Sequence, residues 1–365
     1  MKKILTGKFN FENCLYILFC LFSVGYGLYA VTSNIDGIRI FSSGFSGIML
    51  LILSSILLII EIVLLITKNN TILKRLCFII ICFITILLII DIVILGIVRS
   101  YITVINMEKR PTSLDPLNLR LVYICIKNGK AILTGVWTTL WLSMAGTIVG
   151  LILGLLFITL RTLEITPRDN EFIAFLKKIG ISFVKLYVTV FRGTPMMVQA
   201  IIIYYFLPGI ISNLFNVDQQ ILNDILNVGV AGFITVSLNT TAYLTEVLRG
   251  GIESLNKGQM EAARSLGMSR TKAMVYVVLP QGIKNSLPAI CNEFIINIKD
   301  TAVLSVISVM DLFFVIDSIN GKNASQDAIF IAAAIYLFLT YGISKLLSLF
   351  EKKMNLTSKP LPSSN

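Results

Sequence analysis

Polar side chains lie inside long apolar segments of this chain, where the chemistry open to them is hydrogen bonding and ion pairing. Asn239, Tyr243 and Glu246 recur at i, i+4, i+7 spacing and so share one face of a helix predicted over 226–248. Such a face could hydrogen-bond a zwitterionic ligand. It could equally join neighbouring helices through polar contacts, and the sequence leaves both interpretations open.

A second polar set, Glu293, Lys299 and Asp300, lies in the apolar segment 285–307. A charge at the centre of a bilayer costs roughly 2.5–3.5 kcal/mol on insertion scales, so these groups should face protein or water. Either the segment is broken and followed by a short buried piece, or the groups pair inside the helix bundle. Both options place Glu293 and Asp300 near a translocation pathway. A third option ends the span at Ile298 and leaves Lys299 and Asp300 at the interface.

The residue types give little support to an enzymatic role. The chain contains no histidine, and neither HExxH nor GxSxG occurs. A carboxylate pair drawn from Asp91 and Asp300 stays open as an alternative, although neither residue lies in a recognisable motif. Asp91, in the middle of another apolar segment, could instead pair with a partner subunit or lie at a lipid-facing defect.

We predict no cofactor or metal site in this chain. The six cysteines form no CxxC pair, and without histidine a zinc site lacks its usual ligands. The phosphate-binding pattern G-x-x-x-x-G-K-[ST] does not occur, because Gly129-Lys130 lacks the upstream glycine and the following Ser or Thr. The chain is therefore not expected to bind ATP by itself.

A charged stretch between two apolar segments has the local signals of a small helical hairpin. Residues 261–269 read EAARSLGMS, with alanines on one side of the helix and charged residues on the other. Gly267 suits the left-handed residue after a helix, and Ser269 can cap a second helix over 270–279, which Pro280 would stop. The hairpin could dock on another protein, or it could be an ordinary surface helix.

Composition indicates an all-α membrane protein. Hydrophobic residues make up 56% of the chain and charged residues only 14%, and apolar runs of membrane-spanning length recur. The net charge of +11 is typical of basic cytoplasmic loops rather than of nucleic-acid binding, because no basic patch has interleaved aromatics. About eight spans are predicted, at 13–34, 44–66, 77–98, 132–160, 183–207, 226–248, 285–307 and 328–350.

The distribution of basic residues predicts a multi-pass protein of the cell membrane with both termini in the cytoplasm. Lysine and arginine concentrate at the amino terminus, in the alternate loops 67–76, 161–182 and 249–284, and in the tail. The loop 99–131 is an exception to this pattern, because it should be external yet is also basic. Its 117–130 portion could be an amphipathic helix on the outer membrane surface.

A polar, proline-punctuated linker divides the chain near 106–116. The predicted organisation is an amino-terminal extension with three spans, an external linker with the possible amphipathic helix, a five-span domain, and a disordered cytoplasmic tail. The corresponding boundaries are 1–105, 106–130, 131–352 and 353–365.

Five blocks in the second half, in this order, resemble the permease subunits of ABC importers for polar amino acids, of the histidine and glutamine type. The similarity covers roughly 129–350. The blocks are FRGTPMMVQ at 191–199 with YYFLP at 204–208, AYLTEVLRGGI at 242–252, KGQMEAARSLG at 257–267, NEFI at 292–295 and KDT at 299–301. The resemblance implies a five-helix core, which three extra helices precede here.

The resemblance also implies partners. Two cytoplasmic ABC ATPases would bind and hydrolyse ATP, so this chain would be a transport subunit and not an enzyme. A second permease subunit would complete the pathway in the lipid bilayer, and an extracytoplasmic binding protein would deliver the amino acid. Neither the amino acid nor the choice between homodimer and heterodimer follows from the sequence. The alternative function is a membrane-embedded enzyme, or a sensor or assembly protein.

The resemblance assigns the segment 257–270 to the helix that couples the permease to its ATPase. The implied coupling residues are Gly258, Glu261, Ala262, Ala263, Arg264, Leu266 and Gly267. The candidates for the substrate pathway are Asn239, Tyr243, Glu246, Glu293 and Asp300.

Overall fold

The computed structural model describes residues 18, 21–26, 52–56, 71–107, 109–165 and 169–353. Within these ranges the regular structure is entirely helical, as the composition predicted. Only short helical pieces of the predicted spans 13–34 and 44–66 fall among them, so both predictions lie mainly outside the described residues. The same holds for the predicted tail beyond residue 353.

The chain divides into two compact units, Met1–Lys127 and Asn128–Asn365. In the first unit, helix α1 comprises Thr71–Ile89, a π-helical turn at Ile90–Leu95 and Gly96–Ile105. It extends seven residues beyond the predicted end at residue 98, because apolar residues continue past Arg99.

Asp91, in the π-helical turn of α1, has partners within its own unit. Its carboxylate is buried and accepts a hydrogen bond from the Tyr26 hydroxyl at 2.5 Å, and the Arg99 guanidinium lies 3.9 Å away. Arg99 lies eight residues on, so both side chains point to the same side of the helix. The sequence left a partner subunit or a lipid-facing defect open for Asp91, and the structure gives it Tyr26 and Arg99 as partners within the chain.

The linker before helix α2 (Leu117–Arg161) is an ordered turn. Asp115 accepts hydrogen bonds from the Thr112 backbone N–H at 2.6 Å and from its hydroxyl at 3.0 Å, and these bonds lower the pKa of the Asp115 carboxyl. Residues 117–130 are helical, as expected, but they continue without a break to Arg161. The 45 residues measure about 67 Å at 1.5 Å per residue, more than the hydrocarbon core of about 30 Å, so part of the helix lies outside that core. The surface position of 117–130 stays a prediction.

The second unit contains the remaining helices. They are α3 (Glu171–Gly193), α4 (Met196–Phe215), α5 (Gln219–Ile225), α6 (Val228–Glu253), α7 (Gly258–Ser265), α8 (Arg270–Ile307), α9 (Leu312–Asn323) and α10 (Ala328–Lys353). Among the described residues, five helical segments are long and apolar enough to cross a membrane: Cys82–Ile105, α2, α4, α6 and α10. Helices α8 and α9, bent by 52° at the break between them, form a sixth if they are counted as one span.

The predicted span 183–207 was wrong, because the structure interrupts it between α3 and α4. Thr194 and Pro195 are extended, with φ/ψ of −118°/142° and −61°/138°. The proline ring clashes with a helical conformation of the preceding residue, so the helix ends at Gly193. Hydropathy missed the break, since apolar residues lie close on both sides, at 190–191 and 196–198.

Pro280 does not stop the helix after Ser269, contrary to the prediction. The structure passes through it: Arg270–Ala273 leads into a π-helical turn at Met274–Val278 and then into Leu279–Asp300. In that turn the Leu279 N–H donates to the Met274 carbonyl, five residues back. The wider turn gives room where a proline ring would otherwise meet the carbonyl four residues before it.

Helices α2 and α6 approach closely along a row of small residues. Gly146, Gly150 and Gly154 lie at i, i+4, i+8 on α2. A Cβ atom built on Gly146 would lie 2.4 Å from the Val236 side chain, and one on Gly150 would lie 2.9 Å from that of Thr240. In membranes such small-xxx-small rows allow van der Waals packing between backbones. This contact fixes α6, which carries three of the pathway candidates.

Candidate functional site

Helix α7 is short and ends in a turn that is held by two backbone hydrogen bonds. The Gly258 N–H donates to the Asn256 side chain at 2.8 Å at its start. At its end the Gly267 N–H donates to the Arg264 carbonyl at 3.0 Å, and the Met268 N–H donates to the Ala263 carbonyl at 3.2 Å. Gly267 has φ +85°, so these bonds form a Schellman motif around a left-handed glycine, as predicted.

Most side chains of α7 are exposed. Ala263 is its one buried side chain, and the Leu266 side chain that follows is 83% exposed. Glu261, Ala262 and Arg264 are also exposed. All seven predicted coupling residues therefore lie on one short segment, and Ala263 is the buried one among them.

The segment after α7 is tied to neighbouring elements by side chains. The Ser269 hydroxyl accepts a hydrogen bond from the Lys272 N–H at 3.4 Å, which is the predicted cap. Arg270 forms an ion pair with Glu164, in the connection between α2 and α3. Periodicity could not have found that pair, because its members are far apart in sequence.

Asn239 is occupied by a hydrogen bond to Gln199, a residue that was not a candidate. The Asn239 amide donates to Gln199 Oε1 at 3.0 Å, and both side chains are buried. Gln199 Nε2 in turn donates to the Phe191 carbonyl at 2.9 Å, the Thr194 carbonyl at 3.0 Å and the Thr194 hydroxyl at 2.9 Å. Gln199 thus satisfies carbonyls freed by the break between α3 and α4. In the sequence, this role of Gln199 was indicated only by its position four residues after Pro195.

Glu246 belongs to a chain of ion pairs. It accepts from the Arg161 guanidinium at 2.8 Å and from that of Arg249 at 2.5 Å, and Arg249 also pairs with Glu253. Arg161 ends α2, so this network joins the same ends of α2 and α6. The sequence indicated neither arginine as a partner of Glu246.

Tyr243 remains accessible and faces a cation. Its side chain is exposed, and the Arg192 guanidinium lies 5.4 Å from the centre of its ring, within the range of a cation–π contact. Arg192 is the second residue of the block FRGTP, so the contact joins α3 to α6.

Glu293 and Asp300 lie on one helix but differ in exposure. Glu293 is buried, whereas Lys299 and Asp300 are exposed. The helix does not end at Ile298. It tightens into a 3₁₀ segment, Thr301–Ile307, before Ser308 turns with φ +67°. The break therefore follows Ile307, beyond the charged pair.

A second buried amide, Asn297, joins three helices and was also missed. Its Nδ2 donates to the Thr147 hydroxyl at 2.9 Å and to the Thr240 hydroxyl at 3.0 Å. Its position on the same helix as Glu293, one turn further on, was the only signal in the sequence. The polar interior of α2, α6 and α8 is thus held by side-chain hydrogen bonds.

Comparison with known proteins places this arrangement among transport proteins. A family model described as "Binding-protein-dependent transport system inner membrane component" matches residues 172–355. A putative glutamine transport system permease protein of Rickettsia typhi is 40% identical over 174 residues, which are 47% of this chain and 74% of the relative. An octopine transport system permease protein of Rhizobium radiobacter is 35% identical over 168 residues, 46% of this chain and 67% of the relative.

A solved structure is also similar. The crystal structure of an amino acid ABC transporter with histidines matches with a TM-score of 0.54 and 33% sequence identity. The match covers 66% of this chain and 100% of the other.

Proposed function

The chain belongs to the family of binding-protein-dependent transport system inner membrane components, and from this we propose that it is the permease subunit of an ATP-driven importer of polar amino acids. The relatives named for glutamine and octopine transport support the substrate class. Chemistry would occur elsewhere: a separate cytoplasmic ATPase would bind and hydrolyse ATP, and this chain would have no cofactor of its own.

The exposed surface of helix α7 and the hydrogen-bonded turn at its end support the coupling part of this proposal. An apolar side chain as exposed as Leu266, beside Ala262, favours burial against another protein. The Schellman turn at Gly267 sets the direction in which the chain leaves the helix, so the docking surface has one shape. We assign Gly258, Glu261, Ala262, Ala263, Arg264, Leu266 and Gly267 to ATPase coupling, with Ala263 anchoring the helix from inside.

The pathway assignment is refined by the contacts of each candidate. Asn239 donates a hydrogen bond to Gln199 and the Glu246 carboxylate accepts one from Arg161, so we assign both residues to shaping the wall. Tyr243 and Asp300 are exposed, and exposed polar groups at membrane depth need water or a protein neighbour. We therefore place them on the pathway, with the buried carboxylate of Glu293 behind it.

The exposed side chains of Tyr243 and Asp300 also require a neighbour, and a second permease subunit would cover them. One chain carries both a docking helix and a full set of core helices, so a homodimer is feasible. In this arrangement both termini are cytoplasmic and α7 faces the ATPase. The basic stretch 99–131, which comprises the end of α1, the linker and the start of α2, is external, where the amino acid-binding protein would dock.

Purification of the tagged chain from native membranes, followed by mass spectrometry, tests these assignments together. We expect an ABC ATPase and a single permease species to copurify, and an amino acid-binding protein to be captured under crosslinking. A Leu266→Asp variant should lose the ATPase and keep the permease partner, because it places a charge in the docking surface only. Retention of the ATPase by that variant would contradict the docking assignment.

A further inference from the structure

A cavity lies at one end of the second unit, where helices α2 and α6 meet the break between α8 and α9. Its volume is about 650 Å³, within the range of about 300–1,000 Å³ that is typical of small-molecule sites. We call it the apolar cavity, after most of its lining. The apolar lining residues include Trp141 and Leu142 from α2, Val230 and Phe233 from α6, and Val309 and Met310 from the break.

The polar side chains in the wall of the apolar cavity leave little for a polar ligand to bind. The Thr138 hydroxyl donates to the Thr134 carbonyl at 3.1 Å. The Asn227 side chain accepts from the Val230 N–H at 3.1 Å and donates to the Asp224 carbonyl at 3.3 Å. None of the described residues that line the cavity is charged. An apolar occupant is therefore favoured.

The apolar cavity lies at the depth of a membrane interface. Helix α2 ends at Arg161, and Trp141 precedes it by twenty residues, or about 30 Å at 1.5 Å per residue. This length equals the thickness of the hydrocarbon core, so Trp141 lies near the boundary opposite Arg161. Trp141 and Trp137, one turn further out, are both exposed. Tryptophan is enriched at this depth, because its ring is apolar and its N–H needs a polar neighbour.

The apolar cavity opens on the side of α6 that faces away from Asn239. Val230 lies nine residues before Asn239, which is about two and a half turns, so the two side chains point to opposite sides of the helix. Val230, Trp141 and Met310 are exposed lining residues, and Met310 is 66% exposed. A second permease subunit that covers Tyr243 would lie on the other side of α6, so the opening faces the bilayer.

We propose that the apolar cavity holds an acyl chain of a membrane phospholipid, from the leaflet on the side away from α7. Without such an occupant the lining would either be hydrated or lose its van der Waals contacts, and both are unfavourable. The acyl chain would pack against α2, α6 and the break, where Ser308 is held at φ +67°. The proposal requires only that the chain spans the membrane.

The chain contains only two tryptophans, Trp137 and Trp141, so their fluorescence can test this proposal directly. The full-length chain is reconstituted without other subunits in vesicles of phosphatidylcholine and phosphatidylglycerol. Trp137→Phe leaves Trp141, which lines the cavity, and Trp141→Phe leaves Trp137, which does not. Lipids with brominated acyl chains should quench Trp141. Aqueous iodide should quench Trp137 more strongly than Trp141.

A variant that fills the apolar cavity separates a lipid inside it from lipid around the protein. Gly229 lines the cavity, and a Cβ atom added there would meet only the Asn227 side chain, at 3.5 Å. Gly229→Phe, combined with Trp137→Phe, should recover most of the Trp141 fluorescence that is lost in brominated lipid. Val230→Phe fills the same cavity and is measured alongside it. Gly180→Phe, at a glycine of α3 with open space, is the matched control and should recover none.

Three outcomes would overturn the proposal. Quenching of Trp141 by iodide but not by brominated lipid would show that the cavity opens to water. Quenching by neither agent would show that protein, such as a second copy of the chain, covers it. Quenching by brominated lipid that both filling variants leave unchanged would place the lipid outside the cavity.

Discussion

Single buried polar side chains hold the permease core together through contacts with one another. Gln199 supplies donors to the carbonyls at the break between α3 and α4 and accepts from Asn239 on α6. Asn297 does the same for two threonines on different helices. A buried acceptor without a donor is costly, so each of these amides stabilises several elements at once.

Replacing Gln199 should therefore destabilise the permease more than its size suggests. Gln199→Leu removes the donors to Phe191 and Thr194 and leaves the Asn239 amide unpaired, at a cost of about 1–3 kcal/mol. Thermal unfolding in detergent would show a lower midpoint. Gln220→Leu, at an exposed position on α5, is the matched control and should unfold like wild type. Equal midpoints for the two variants would mean that the amide does not brace the break.

At the scale of elements, backbone conformation decides which glycines matter. Gly267 requires a left-handed conformation but has open space around it, since a Cβ atom added there would meet no other atom within 4 Å. Gly150 is the reverse case: its conformation is ordinary and its space is filled by Thr240. The two positions therefore separate a requirement of the backbone from one of packing.

Gly267→Val should uncouple ATP hydrolysis from uptake, because a β-branched residue resists the turn that ends α7. Uptake should fall strongly while the amount of permease in the membrane is unchanged. Gly180→Val is the control, since that glycine also has open space but lies within α3 at an ordinary φ. Normal ATP-driven uptake by Gly267→Val would show that the shape of the turn is not needed.

Gly150→Val should instead lower stability, since the added side chain meets Thr240 across the α2–α6 contact. Overpacking of this kind costs about 1–3 kcal/mol, measurable as reduced abundance and a lower unfolding temperature. Gly129→Val, on the same helix but with nothing within 4 Å, should be tolerated. If both variants behave alike, the glycine row does not set the helix spacing.

At the scale of the whole molecule, the proposed membrane orientation puts α7 in the cytoplasm and the start of α2 outside the cell. Cys125 lies in the first part of α2, within the basic stretch 99–131, and its side chain is exposed. A variant retaining only Cys125 should react with a membrane-impermeant thiol reagent in intact cells. A second variant with a single cysteine introduced at Ser265 should react only after lysis. The reverse pattern would invert the orientation.

Local signals predicted the turn at Gly267 and the cap at Ser269 well, and the contacts of the core poorly. Gly267 and Ser269 act through neighbouring residues, so the hairpin could be read from a dozen positions. The pair Arg161–Glu246 is separated by 85 residues and Asn297–Thr147 by 150, and no periodicity encodes such contacts. Glu246 could thus be recognised as a polar group in a span, but its partners could not.

The helix boundaries also divide into those that local sequence predicts and those that depend on tertiary structure. Spans at 132–160, 226–248 and 328–350 correspond to α2, α6 and α10, because uniform apolar runs have one favoured structure. Pro195 indicates a helix break, but the apolar residues near it favour a continuous span, and the prediction followed the apolar residues. Pro280 indicates a helix end, and the structure has none there. A proline ends a helix or is accommodated by it according to the turn before it, which only tertiary structure reveals.

We propose that this permease admits a polar amino acid when a partner ATPase acts through α7. The most direct measurement is uptake of radiolabelled L-glutamine, L-glutamate, L-histidine and L-arginine into proteoliposomes, with wild type and Gly267→Val compared in parallel. We predict uptake of at least one amino acid by wild type that requires ATP, the ATPase and the binding protein, and its loss in the variant while ATP hydrolysis continues. Uptake by wild type that is independent of ATP or of the ATPase would contradict the account.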